Sequence, residues 1–317
     1  MANAVRSALQ MALVYGYTIF VMLGMGASID VDFVAEVKKA PKAVLCGVAS
    51  QFGFMPFIAW ALCVALDLGN TESMAIILIG MCPGGVTSTL FTYLSRANVT
   101  LSLVMTTCST FFALFMIPLL ILVYVRPPLV SKGEDDSEVS YAAIVVTLIV
   151  ATTPAIAGWR LRRTRPDLGE KVEQAATKIG SVLIVGVLVF SFAWPGPGGY
   201  GMTAKAIAVM ILMCPCGFLL GYGFSVLCGL DQVTSRTVSM ETGIQQVGIA
   251  AAIAINSFED DQLDRTITIM VIFGCVTVVF GAVWALILRH FFALKDDAKM
   301  YPDDKRAGGG EGGFDTL

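Results

Sequence analysis

Charge is scarce in this sequence. Only 14% of its 317 residues are Asp, Glu, Lys or Arg, whereas a soluble domain carries about a quarter to keep its surface in water. That shortage excludes an ordinary soluble enzyme, a nucleic-acid binder and a disordered chain. Histidine is scarcer still. The single one, His290, stands at the end of the last apolar block and reads as an interfacial residue, so no nucleophile–base set is available. Cysteine is missing from the loop positions that an extracellular disulfide framework requires. Seven of the eight cysteines lie inside apolar blocks and the other, Cys82, in a helix break. Cys214-Pro215-Cys216 has no His or acid beside it and reads as small apolar residues around a kink. Residues 1–10 lack a strong basic region, and no small-residue cleavage site follows, so no cleavable signal peptide is expected.

Apolar residues are abundant: 56% of the chain is hydrophobic and the mean hydropathy is +0.77. They come in blocks long enough for a hydrocarbon layer of about 30 Å, not in the short runs of a globular core. The blocks fall near 8–28, 40–66, 73–94, 99–125, 140–158, 176–195, 204–230 and 267–294. A ninth, 237–256, is polar in its first half, and the distribution of basic residues decides whether it crosses. With nine spans and the N-terminus outside, the inner side carries 15 Lys and Arg. These are Lys38, Lys39, Lys42 and Arg96, then Arg160, Arg162, Arg163, Arg165 and Lys171, then Arg236, and finally Arg289, Lys295, Lys299, Lys305 and Arg306. The outer side carries 5: Arg6, Arg126, Lys132, Lys205 and Arg265, leaving aside Lys178, which snorkels from the sixth span. Without the ninth crossing the ratio falls to 11 against 9. Nine spans are therefore expected, with the C-terminus inside. The acidic loop 126–139 then lies outside, and the charged, Gly-rich segment 295–317 reads as a disordered cytoplasmic tail. Asn98-Val99-Thr100 fits a glycosylation pattern, but this topology puts it on the inner side against a span, as a chance match.

Two repeats of one plan are visible. Met55-Pro56-Phe57 and Cys214-Pro215-Cys216 are offset by 159 residues, and the same offset carries Pro83-Gly84-Gly85 onto Thr242-Gly243-Ile244. Five spans separate the copies, an odd number, so the second copy is inverted in the membrane. Inverted repeats with helix breakers at matching places point to a secondary transporter. Proline removes a backbone donor and paired glycines weaken a helix, so the third span is expected to break at Pro83-Gly84-Gly85. In the eighth, Glu241, Gln245 and Gln246 put a carboxylate and two amides at bilayer depth, which is costly unless they are used. Structural pairing with Arg236 is the competing account of Glu241. Ser102 and Thr106, i and i+4 on one helix face, and Gln51, ahead of the Pro56 kink, add neutral oxygens. Carboxylate, hydroxyl, amide and carbonyl oxygens suit a sodium-type ion and not a transition metal.

Four stretches carry a family resemblance: Gln51-Phe52-Gly53-Phe54-Met55-Pro56, Cys82-Pro83-Gly84-Gly85, Leu101-Ser102-Leu103-Val104-Met105-Thr106-Thr107-Cys108-Ser109-Thr110, and Arg236-Thr237-Val238-Ser239-Met240-Glu241-Thr242-Gly243-Ile244-Gln245. They resemble the bile acid:sodium symporter family, and the similarity runs from the first span through the ninth. The resemblance implies an all-helical membrane domain over 1–294 with two broken helices crossing at the midplane. It implies a core of spans near 40–125 and 204–294 and a panel of spans near 8–28, 140–158 and 176–195. Two sodium ions would lie behind the crossing, the first on Ser88, Thr89, Ser102, Thr106 and Glu241, the second on Gln51, Glu241 and Gln245. Sodium is co-transported, and no cofactor is expected. The implied cargo is a bile salt or a related amphipathic organic anion, moved by alternating access across the plasma membrane. The chain departs from the family pattern twice: Thr89 and Gln246 stand where relatives usually have Asn. Both positions face the crossing and are expected to touch substrate. A transporter of the same fold with another organic anion, or altered sodium coupling, is the second reading. A seven-span receptor conflicts with the charge count, and a channel lacks any visible ring of repeated carbonyls or charges.

Overall fold

The computed structural model describes residues 2–29, 33–85, 87–124, 141–194, 202–258 and 260–300. They are helical throughout, with no β-strand among the described residues. In chain order the helices are α1 (Ala2–Ala27), α2 (Phe33–Lys39), α3 (Pro41–Ala49), a π-helical turn (Ser50–Phe54), α4 (Met55–Ala65), α5 (Asn70–Met81), α6 (Thr87–Leu94) and α7 (Val99–Tyr124). They continue as α8 (Tyr141–Thr164), α9 (Pro166–Ala193), α10 (Ala204–Leu227), α11 (Gln232–Gly243), α12 (Val247–Ser257) and α13 (Asp260–Met300). Five stretches are long and apolar enough to cross a bilayer: Ala8–Ala27, Pro41–Ala65, Val99–Tyr124, Ala204–Leu227 and Gln262–Phe291. The chain is a multi-pass membrane protein.

Several boundaries differ from the expected blocks for local reasons. The second span is continuous from Pro41 to Ala65 but loosens into the π turn just ahead of Pro56. Pro56 lacks an N–H, so the helix must lose a backbone bond near it, and a π turn is one way of absorbing that loss. Pro215, by contrast, sits inside an uninterrupted α10. Helix α9 begins at Pro166, ten residues before the apolar block, because Pro at the first helical position is preorganised for a start. Helix α13 continues to Met300, six residues past the expected end of the membrane domain. Ala293, Leu294, Lys295, Ala298 and Lys299 favour a helix, and no breaker intervenes before Pro302. The acidic loop 126–139 and residues 301–317 lie outside the described residues. The Asn98 side chain has a structural use: its Oδ1 accepts from Leu101 N at 3.0 Å and caps α7.

Helix α1 packs against both α8 and α9, and α10 packs against α4 and α11. Glycine sets the closest approaches. A Cβ on Gly26 would lie 1.9 Å from Ala155 O, and one on Gly158 would lie 2.3 Å from Leu23 O, so α1 and α8 touch backbone to backbone. On α10, Cβ atoms on Gly217 and Gly221 would meet Met55 Sδ at 2.5 Å and the Thr242 side chain at 2.8 Å. Small residues four apart are how helices draw close where no water drives burial.

Candidate functional site

Two helices stop in mid-fold and face each other. The first ends at Met81 and resumes at Thr87; the second ends at Gly243 and resumes at Val247. The Pro83-Gly84-Gly85 break was legible in the sequence, and the second break falls three residues after Glu241, at Ile244-Gln245-Gln246. The exposed backbone groups do not go unpaired. Gly84 and Gln245 form an antiparallel bridge, Gly85 N donates to Ile244 O at 2.8 Å, and Gln246 N donates to Pro83 O at 2.9 Å. Each break thus satisfies the other, as a non-helical segment at membrane depth requires. The contact tolerates no side chain at Gly84: a Cβ there would lie 2.0 Å from Glu241 Oε1.

The carboxylate of Glu241 is 1% exposed, on the last turn of α11. Its Oε2 accepts from Ser88 Oγ at 2.7 Å and from Ser102 Oγ at 3.4 Å. Ser88 Oγ is also 3.5 Å from Thr106 Oγ1, and Thr89 Oγ1 is 3.4 Å from Ser102 Oγ. All five residues named for the first ion therefore meet in one cluster contributed by α6, α7 and α11. The structural pairing with Arg236 fails. Arg236 donates to Ser95 O at 3.0 Å and to Gln232 O at 3.2 Å, while serine hydroxyls hold the carboxylate.

On the other side of the carboxylate lie the two amides. Gln51, in the π turn, donates through Nε2 to Cys82 O and to Gln245 Oε1, both at 2.7 Å. Gln245 Nε2 donates to Thr242 O at 2.9 Å. Two buried oxygens in this group, Gln51 Oε1 and Glu241 Oε1, have no hydrogen-bond partner. A buried acceptor left unmatched costs about 1–3 kcal/mol, more when charged, so two of them near one carboxylate mark a place built to receive positive charge. The C-terminal ends of α5 and α11 converge here, and the partial negative charge at helix C-termini favours a cation too. Among the described residues no group of three or more His, Cys, Asp or Glu is placed to hold a metal. The donor set is one carboxylate surrounded by neutral oxygens.

In front of the crossing, a cavity of about 770 Å³ separates α1 and α9 from α6, α12 and α13. Thr89, Gln245 and Gln246 line it. Most of the wall is apolar, from Phe20 and Met25 on α1 to Ile267 and Met270 on α13, with Tyr17, Ser28, Glu173 and Thr177 among the polar exceptions. The sequence reading did not single out Tyr17, because a tyrosine in an apolar run carries no periodic signal that separates cavity wall from packed core.

Comparison with known proteins gives the family. The profile of the Sodium Bile acid symporter family matches residues 17–196. The chain is 31% identical to the rat hepatic sodium/bile acid cotransporter over 278 residues, covering 87% of this chain and 76% of that protein. It is 36% identical to the human hepatic sodium/bile acid cotransporter over 235 residues, covering 74% and 67% of the two chains. With the human sodium-dependent organic anion transporter the identity is 25% over 260 residues, 82% and 68% of the two. The chain belongs to the sodium/bile acid symporter family, a family of membrane transporters and not of enzymes.

Proposed function

We propose that the protein is a sodium-coupled symporter of bile acids or related amphipathic organic anions, working by alternating access. The observation that carries this reading is the pair of unmatched buried oxygens, Gln51 Oε1 and Glu241 Oε1, at the crossing of two broken helices. Ser88, Thr89, Ser102, Thr106 and Glu241 would hold one sodium ion, and Gln51, Gln245 and the same Glu241 a second. A shared carboxylate gives both ions their formal counter-charge, and the resulting pair of positive charges stands directly behind the cavity. An anionic head group seated against Thr89 and Gln246 is then drawn to a site that contains sodium and repelled by the bare carboxylate. That difference makes anion binding depend on sodium. The apolar wall suits the body of a sterol-like cargo, and a cavity of this volume lies within the usual range for small-molecule sites.

In this reading the chain crosses the plasma membrane nine times, N-terminus outside and C-terminus inside, as an inverted repeat. Spans containing α3–α7 and α10–α13 form the core, and α1, α8 and α9 form the panel that moves against it. Thr89 and Gln246 favour a second reading beside the first: cargo other than a bile salt, since Thr89 offers no amide N–H to it.

The deciding experiment is uptake of labelled taurocholate into vesicles, with sodium or with choline, for the wild type and Glu241→Gln. Removing one member of a buried charge set costs on the order of 3–5 kcal/mol, so sodium-dependent uptake should vanish while the variant still reaches the membrane. Wild-type uptake by Glu241→Gln would overturn the ion assignment. Sodium-driven uptake of other organic anions, with none of taurocholate, would select the second reading.

A further inference from the structure

Far from the crossing, Arg6 and Asp264 form a buried ion pair across 258 residues of chain. Arg6 Nη1 meets Asp264 Oδ1 at 2.6 Å and Oδ2 at 2.7 Å, and Arg6 Nε donates to Trp194 O at 2.9 Å. The two side chains are 4% and 9% exposed. One guanidinium therefore ties together α1, the end of α9 and the start of α13. The same three helices line the cavity, and on each the tie lies beyond the last lining residue. Arg6 precedes Val14 by eight residues, Trp194 follows Val187 by seven and Asp264 precedes Ile267 by three, or about 12, 10 and 4.5 Å along a helix. Val14, Val187 and Ile267 are buried at that end. Thr177 on α9 and Val279 on α13, toward the opposite ends of their lining stretches, are exposed. The lining is thus buried at the end where the ion pair sits and exposed toward the other.

We propose that Arg6 and Asp264 form the outer latch of the transport cycle, joining panel to core while the cavity opens inward and parting when it opens outward. The pair bridges α1 and α9 on one side and α13 on the other, the two bodies whose relative movement the proposed function requires, and the latch rests on that reading. A buried pair, with one guanidinium nitrogen against both carboxylate oxygens, suits a latch better than a permanent clasp of apolar residues. Its attraction is offset by the desolvation of both charges, so parting into water returns that hydration and the two states stay close in free energy. A panel-to-core apolar clasp would lose its burial with nothing returned.

Cys275 supplies the test, because this native thiol is exposed, lines the cavity and lies midway along the apolar stretch Gln262–Phe291. A membrane-impermeant, charged methanethiosulfonate is applied to the outer face of intact cells, and in parallel to inverted vesicles, with Cys275→Ser as the background. Wild-type Cys275 should react slowly from outside and quickly from inside. Arg6→Gln and Asp264→Asn should each raise the outside rate at least tenfold. Because a single change leaves a buried charge without its partner and can impair folding, Arg6→Leu with Asp264→Leu removes both charges and should show the same rise. The reversed pair, Arg6→Asp with Asp264→Arg, should return the rate toward wild type. An outside rate unchanged in the folded Leu–Leu variant overturns the latch, as does a reversed pair that labels no more slowly than the single variants. The readout is access and not uptake, so a failure of sodium coupling leaves it interpretable. Loss of thermal stability without any change in labelling would assign the pair a purely structural role and also overturn the proposal.

Discussion

Ser102 and Thr106 share one face of α7 yet hold their hydroxyls differently. Ser102 Oγ reaches the carboxylate at 3.4 Å, while Thr106 Oγ1 donates back to Ser102 O at 3.0 Å and lies 3.5 Å from Ser88 Oγ in the same cluster. Ser102→Ala and Thr106→Val should each raise the sodium concentration for half-maximal uptake. Losing one neutral ligand costs roughly 1–3 kcal/mol, about five- to 150-fold in affinity. Sodium titrations of uptake check this, and a change in substrate affinity alone would contradict it. Glu72 makes a prediction about stability. It is buried at the start of α5, and its two oxygens accept from Thr203 N and Thr203 Oγ1, each at 2.7 Å. Thr203 in turn caps α10. Glu72→Ala should lower unfolding stability by about 1.5–3 kcal/mol, the range for hydrogen bonds to a charged group, with the sodium dependence of uptake left in place. A thermal melt in detergent reads the first and uptake the second.

The half-helices show how far sequence reading reaches at the level of elements. Proline with two glycines in an apolar run announces a break, and Pro83-Gly84-Gly85 is one. Glu241-Thr242-Gly243 announces its neighbour through polarity instead, since a carboxylate at that depth needs a reason. The π turn at Ser50–Phe54 had no such marker: Pro56 foretells disturbance, but its form depends on α10 and α11 packed alongside. The mutual hydrogen bonding of the two breaks was illegible too, because it joins Gly85 to Ile244 and Pro83 to Gln246, distant in the chain, through main-chain atoms that every sequence possesses. Gly84→Ala tests that contact. A methyl group 2.0 Å from Glu241 Oε1 cannot be accommodated without moving the carboxylate or the bridge, so uptake should fall below a tenth of wild type at any sodium concentration. Uptake of at least half the wild-type rate would mean the breaks do not cross as tightly as described. Across the same crossing, Thr89→Asn should impair transport and Thr89→Asn with Gln246→Asn should restore much of it. Contacting residues couple by about 0.5–3 kcal/mol in a double-mutant cycle, and additive effects would show that the two side chains do not meet.

Over the whole molecule, the membrane character and the positions of the long spans were legible, because a bilayer imposes a length and a solvent on every span at once. Glu241, Ser102, Thr106 and Gln51 were legible as a group from their oxygens and the i, i+4 spacing of the two hydroxyls, whereas Ser88, Thr89 and the division between two ions needed the family pattern. What stayed hidden was the pairing of distant charges. Arg6 counts as one more basic residue at a terminus, and Asp264 as one acid in a short connection, until the fold seats both in the same dry interface. No local pattern separates a solvated arginine from that one.

The crossing also has an evolutionary consequence. Its central bonds run between main-chain atoms of Pro83, Gly85, Ile244 and Gln246, so Thr89 and Gln246 can change identity without unfastening the breaks from each other. Cargo preference can drift at those two side chains while the scaffold beneath them is inherited intact. A lineage of such proteins could exchange one cargo for another by small steps, never passing through a member that fails to fold.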